Sequence, residues 1–273
     1  MNEANICLVD THCHLDFNVF DENRNSVRET ARIEGVRRIV NPGVDLESSV
    51  RVVALADACD EVYAAVGVHP NDAETWNQDT LRELRSLARH PKVVAIGEIG
   101  LDYYWKKSTP IFQKKILRIQ LELAAELNLP VLLHSRDSNA DLLDMISDWH
   151  IELNTARSNL VHHPGVLHSF SGNVEEANRA FVNNFFIGIG GPVTFRNAPV
   201  LQSLVTQAPL DRFVIETDAP FLSPHPFRGK RNEPGRVRLV AEKIAALKQL
   251  SLEEIAQRTT ENAKLLFQWR EVF

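Results

Sequence analysis

Residues 93–100 read "VVAIGEIG", a run in which Glu98 is the one polar side chain. A strand with one face in water alternates apolar and polar residues, so a run this continuous belongs to a strand covered on both faces. Outward from it the same device recurs: "ICLV" at 6–9, "RRIV" at 37–40, "VYAAVGV" at 62–68, "VLLH" at 131–134, "GVLHSF" at 165–170, "FFIGIG" at 185–190 and "RFVIET" at 212–217, giving eight expected strands. Between them lie stretches with helical spacing, among them "SVRETARIEG", "LESSVRVVALADA", "TLRELRSLARH", "PIFQKKILRIQLELAAELN" and "VEEANRAFVNN", several preceded by Asp, Ser or Thr able to cap a first turn. Such βα repetition argues for parallel pairing with helices outside, which a closed barrel satisfies without exposed edges. The 273 residues suit one such barrel, for which about 250 are typical. The expected fold is therefore α/β, a (β/α)8 TIM barrel. A single domain over 1–273 is expected, closed by helices at 236–250 and 251–269, the latter an extra C-terminal helix; no linker or low-complexity tract interrupts it.

Composition narrows the function classes. Lys and Arg number 30 against 36 Asp and Glu, a formal net charge of −6, which excludes a protein that coats nucleic acid through bulk positive charge. Any nucleic-acid substrate needs local basic help. Cysteines occur at 7, 13 and 59 without CxxC spacing, so no disulfide framework is expected. The opening "MNEANICLVD" lacks a signal-peptide pattern, and no run of about 18 apolar residues exists to span a membrane. The expectation is a cytoplasmic protein with no membrane partner.

The polar residues at the strand ends carry the chemistry. In "ICLVDTHCHLDF", residues 6–17, a continuing strand would project His12 and His14 to one side and Cys13 to the other. A His-x-His pair can grip a metal ion, although imidazoles also serve as ordinary hydrogen-bonding groups. Glu98, His134, His168 and Asp218 each stand at or just beyond the end of an expected strand, and in a barrel those ends converge on one mouth. Four histidines and two carboxylates suit two divalent ions, with a Glu able to bridge ions about 3.5–4 Å apart.

Further residues extend this set. His69 ends "VGVHP", and Glu216, two residues before Asp218, faces the same side; it either reaches a further ion or water, or is an inward acid paired with a base. The loop "SPHPFRGKRNEP" gathers Arg228, Lys230 and Arg231, either a phosphate site or a solvated basic turn, and Arg136 is another phosphate candidate. His162 and His163 read as surface residues of a loop over 151–164. The "GIGG" at 188–191 lacks dinucleotide spacing and reads as tight packing.

The blocks "DTHCHLDF", "VGVHPND", "AIGEIGLDYYW", "LPVLLHSRDS", "VLHSFSGN" and "IETDAPFLSPHPFRGKRNEP" together resemble the TatD family of metal-dependent deoxyribonucleases, within the amidohydrolase-like TIM barrels. The resemblance runs from the first strand to the loop after the eighth. It implies two or three divalent ions, Mg, Mn or Zn, and exonuclease-type hydrolysis of DNA phosphodiester bonds, with single strands or frayed ends as substrate. His12, His14 and Asp218 would hold one ion, His134 and His168 another, and Glu98 would bridge; His69 would contact a phosphate or a metal-bound water. In that reading a water activated by two metals attacks phosphorus in line, and Asp218 orients or deprotonates it, Glu98 being less free to do so. The rival from another class is a metal-dependent amidohydrolase or deacylase acting on a C–N or C–O bond. The region 149–172 is longer than the resemblance leads one to expect. Oligomeric state is not encoded in any of these features.

Overall fold

The structure, a computed structural model, describes residues 6–269. Strand and helix alternate along it: β1 Leu8–Asp10, α1 Arg24–Ile33, β2 Val36–Pro42, α2 Leu46–Ala58, β3 Val62–Val66, α3 Gln78–Leu87, β4 Val93–Asp102, α4 Pro110–Leu127, β5 Val131–Arg136, α5 Asn139–Thr155, β6 Gly165–Leu167, α6 Val174–Val182, β7 Phe186–Ile189, α7 Pro199–Gln207, β8 Phe213–Ile215, α8 Val237–Lys248 and α9 Leu252–Leu266. Every expected strand is present. The helices start where local chemistry allows: Asp45, Asn77 and Ser251 close reciprocal capping boxes on α2, α3 and α9, and the Thr109 hydroxyl accepts from the Phe112 N–H with Pro110 at the first turn of α4. Each such cap is worth about 1 kcal/mol. Asn128 ends α4 in the left-handed conformation that stops a helix.

The chain divides into two compact units. In the first, residues 6–41, 169–174 and 187–269, β7 pairs in parallel with β8 and β1 with β2. The Thr11 N–H donates to Ile215 O at 3.1 Å and Cys13 bridges Ala219 in parallel, which sets β1 beside β8. Asp10 is fully buried there; its carboxylate accepts from the Thr217 N–H at 2.9 Å and hydroxyl at 2.6 Å. Helices α8 and α9 pack on β1 and β8.

In the second unit, residues 42–168 and 175–186, four strands run β3-β4-β5-β6 in parallel. Helix α2 covers β3 and α4 covers β4. All ten positions of β4 are buried, as its unbroken apolar run requires. Gly100 is obligatory: its φ is +145°, and a Cβ there would stand 2.1 Å from His134 O on β5. No helix among the described residues is long and apolar enough to cross a membrane.

Three expectations need correction. Residues 151–155 are the last turn of α5, and Asn159–His162 form a 3-10 turn, so 151–164 is not one loop; Leu153 is buried and Leu160 anchors the turn, which gives this segment its own apolar footing. β1 ends at Asp10, so strand alternation does not position His12 and His14. Glu98 lies within β4 and His134 within β5 rather than at their ends, because pairing of Gly100–Asp102 with His134–Arg136 prolongs both strands.

Candidate metal centre

In the second unit, one oxygen of Glu98 gathers three imidazoles. Its Oε1 stands 2.8 Å from His168 Nε2, 3.0 Å from His134 Nδ1 and 3.5 Å from His69 Nε2. Glu98 is 3% exposed, so this charge lies out of water, where its field is strong. His134 is turned by a second acid: its Nε2 meets Asp102 Oδ2 at 3.1 Å, which leaves Nδ1 for Glu98. A carboxylate on the far nitrogen is how metal-binding histidines are commonly fixed in tautomer and orientation. Burial opposes protonation of His134, but its hydrogen bonds to Asp102 and Glu98 win and raise its pKa. Burial pushes Asp102 up, and it is nonetheless held near about 2 by His134, the Trp105 N–H and the Asn71 amide.

His69 is built differently. Its Nδ1 accepts the Asn71 N–H at 3.0 Å, so the neutral ring carries its proton on Nε2, directed toward Glu98. Burial, aided by His134 and His168, holds its pKa at about 3 against the pull of Glu98. Although His69, Glu98 and His134 are close enough to share an ion, the protonated Nε2 makes His69 a hydrogen-bond donor rather than a ligand.

In the first unit, His12 Nε2 and His14 Nε2 face each other at 3.2 Å, and Asp218 Oδ1 lies 3.9 and 3.7 Å from them. Phe17 stacks on His14 with ring centroids 4.7 Å apart, fixing its plane. Asp218 has φ +54°, a conformation an aspartate tolerates better than most residues, and its N–H donates to His12 O at 2.8 Å. Asp10 holds Thr217 directly before it. Buried imidazole nitrogens and carboxylates converging in each unit form a donor set that fits divalent cations.

Comparison with known proteins gives the family. The family model of "TatD related DNase" matches residues 9–268. The chain belongs to the TatD family. Within it, the metal-dependent hydrolase YabD of Bacillus subtilis, itself uncharacterized, is 45% identical over 95% of this chain and 98% of its own. The 3'-5' ssDNA/RNA exonuclease TatD of Cronobacter sakazakii is 35% identical, covering 95% of this chain and 97% of its own. The crystal structure of YjjV, a TatD homologue from Escherichia coli K12, superposes with a TM-score of 0.88 at 33% identity over 97% of this chain and all of that one. The fold is thus the (β/α)8 barrel of TatD proteins, and the chain is a metal-dependent hydrolase of that family.

The other residues singled out in the TatD blocks fall as follows. Glu216 is fully buried and its Oε1 accepts the Ser169 N–H in a short hydrogen bond; a Cβ on Gly188 would strike its Oε2 at 2.3 Å, so the glycine run is tight packing, as expected. Arg136 is exposed over the Tyr104 ring, 3.9 Å from its centroid. Arg228 lies over Phe195 at 4.1 Å and Lys230 lies 5.9 Å from Phe227. Arg231 is engaged inside its own unit, donating to Val19 O at 2.6 Å, Asn23 Oδ1 at 3.1 Å and Glu233 Oε1 at 3.0 Å. It is a loop anchor, a role invisible when only "RGKR" is read. His162 is exposed, and His163 lies 5.9 Å from the Phe186 ring. Asp102 and Asn71 are the residues that reading of the sequence missed. The available signal was the spacing of Asp102, four residues after Glu98 and hence on the same strand face.

Proposed function

We propose that this chain is a two-metal nuclease that removes nucleotides from single-stranded DNA or frayed ends, the whole of 1–273 acting as one barrel. His12, His14 and Asp218 would hold one divalent ion, Mg, Mn or Zn, and Glu98, His134 and His168 would hold the other. The observation that carries this is the single Glu98 oxygen facing three imidazoles, one of them oriented by a second carboxylate. That the Cronobacter relative is a 3'-5' ssDNA/RNA exonuclease supports the substrate class.

When bound, the ions would acidify a water and neutralise charge developing on the phosphate oxygens. The residues of the chain supply the rest. Asp218, partly reached by solvent beside His12 and His14, takes the proton of the attacking water. His69 offers its Nε2–H to a phosphate oxygen. Glu216 fixes the Ser169 backbone, and thereby the residue following His168, acting as a positioning group. Arg228 and Lys230 hold phosphates along the strand, with Arg231 keeping their loop in place.

Digestion of end-labelled single-stranded DNA under metal titration, beside a panel of amides and acyl esters, tests the proposal. Stepwise shortening of DNA dependent on added Mg or Mn supports it. Turnover of an amide or ester with no shortening of DNA gives the site to the amidohydrolase class instead.

A further inference from the structure

The loop from β4 to α4 carries two large aromatic side chains into solvent, Tyr104 at 50% exposure and Trp105 at 56%. Their rings stand edge to face, 5.0 Å apart at 89°. The Arg136 guanidinium lies 3.9 Å from the Tyr104 centroid and 5.6 Å from that of Trp105, and among the described residues no carboxylate pairs with it. Exposed Lys106 and Lys107 follow directly.

This patch is held in place rather than left to sway. The Tyr103 hydroxyl donates to Asp141 at 2.6 Å, Ser108 to Glu74 at 2.8 Å, and the Gln113 amide to the carbonyls of Asp102 and Ser108 at 2.8 and 3.2 Å. The N–H groups of Tyr104 and Trp105 donate to Asp102 Oδ1 at 3.0 and 3.1 Å. The other oxygen of that carboxylate holds His134. One aspartate therefore ties the aromatic loop to a histidine of the hydrolytic site. Metal-assisted hydrolysis by itself has no use for exposed aromatic faces.

We propose that Tyr104, Trp105 and Arg136 form a stacking platform for the unpaired bases of a single-stranded nucleic acid, holding the strand end against the His134 side of the site. This rests on the nuclease reading above. Aromatic faces accept any base, and a neighbouring arginine adds cation–π attraction and neutralises a phosphate. Bases within a duplex are already stacked on each other, so the platform selects single strands without reading sequence. The basic neighbours match a polyanion on a chain whose net charge is −6.

The test compares binding of a labelled single-stranded oligonucleotide and an abasic strand of equal length and charge, both with hydrolysis-resistant phosphorothioate linkages, to wild type, Trp105→Ala and Trp105→Phe. Stacking predicts that wild type prefers the base-bearing strand by about tenfold or more. Trp105→Ala drops that ratio toward one with its salt slope unchanged, since no charge is removed, and Trp105→Phe restores most of it. Equal binding of both strands by wild type, or an intact ratio in Trp105→Ala, overturns the platform. Digestion of unmodified DNA by wild type is scored separately. A Trp105-dependent ratio without digestion keeps the platform and removes the nuclease reading, whereas digestion with a ratio indifferent to Trp105 does the reverse.

Discussion

Around Glu98 three imidazole nitrogens stand within 3.5 Å of one carboxylate oxygen, whereas around Asp218 the two imidazoles meet each other at 3.2 Å and the carboxylate stays 3.7 to 3.9 Å away. The first arrangement is a charge already committed to its neighbours and almost wholly buried. The second holds an acid with 13% of its side chain exposed, set farther from those two imidazoles. A carboxylate almost wholly buried is suited to balancing cations, and one that solvent reaches to moving a proton. The two acids should consequently fail in different ways when neutralised.

The largest expected effect is at Glu98. Glu98→Gln keeps the shape but removes the negative charge facing His69, His134 and His168, so a cation bound there would lose its counter-charge in a buried site. At least one ion per chain should be lost, with turnover falling by about a thousandfold or more, and treatment of wild type with a chelator should do the same until Mg or Mn is restored. Metal analysis of the purified protein checks this; a variant that keeps its full complement and rate would erase the distinction drawn between the two acids.

Asp218→Asn comes next; its amide oxygen can still ligate an ion but cannot take a proton, so turnover should fall much further than metal content. Loss of a general base costs about 10²- to 10⁴-fold in kcat, while KM stays near the wild-type value because the phosphate-binding residues are untouched. If instead KM rises with little change in kcat, Asp218 serves substrate binding and the proton must go elsewhere.

Asp102 sharpens the picture of the Glu98 side, since it reaches the donor set through His134. Asp102→Asn keeps a hydrogen-bonding oxygen but loses the charge that orients the ring, and removal of such an outer partner typically weakens metal affinity by about 10- to 100-fold. Metal titration of activity should therefore shift to higher concentration while the plateau rate recovers substantially. A purely structural role would lower the melting temperature and leave that titration curve in place.

Glu98 and His134 were legible because a polar residue inside a covered strand has few explanations, and His168 and Asp218 because each follows shortly after an apolar strand. Asp102 escaped because "LDYYW" reads as a loop; only the register of β4 on β5 extends the strand to it. The His12 and His14 pairing was anticipated for an incomplete reason. Their nitrogens do meet, but β1 has ended by then, and the backbone is held by Cys13 bridging Ala219 and by the His14 N–H donating to Ala219 O at 2.8 Å. Contacts between residues some two hundred positions apart leave no mark in local spacing. For the same reason Arg231, anchored to Val19 and Asn23, looked like its neighbours Arg228 and Lys230.

That last resemblance yields the smallest expected effect and a way to divide the basic loop. Arg228 and Lys230 are exposed, and among the described residues neither pairs with a carboxylate, so each is available to a phosphate. Arg228→Ala should raise KM for single-stranded DNA by about fivefold and reduce the salt slope of binding by about one, with kcat and metal content near wild type. Arg231→Ala removes hydrogen bonds to a carbonyl, an amide and a carboxylate inside its own unit, so its effect should appear as a loss of about 1–2 kcal/mol of stability. Its salt slope should stay close to that of wild type, because a guanidinium already holding three acceptors has little left for a phosphate. Thermal melts and salt-dependent binding on the same two variants decide between them. If Arg231→Ala flattens the salt slope and leaves the melt unmoved, the anchor is a phosphate ligand after all and the loop acts as one basic patch.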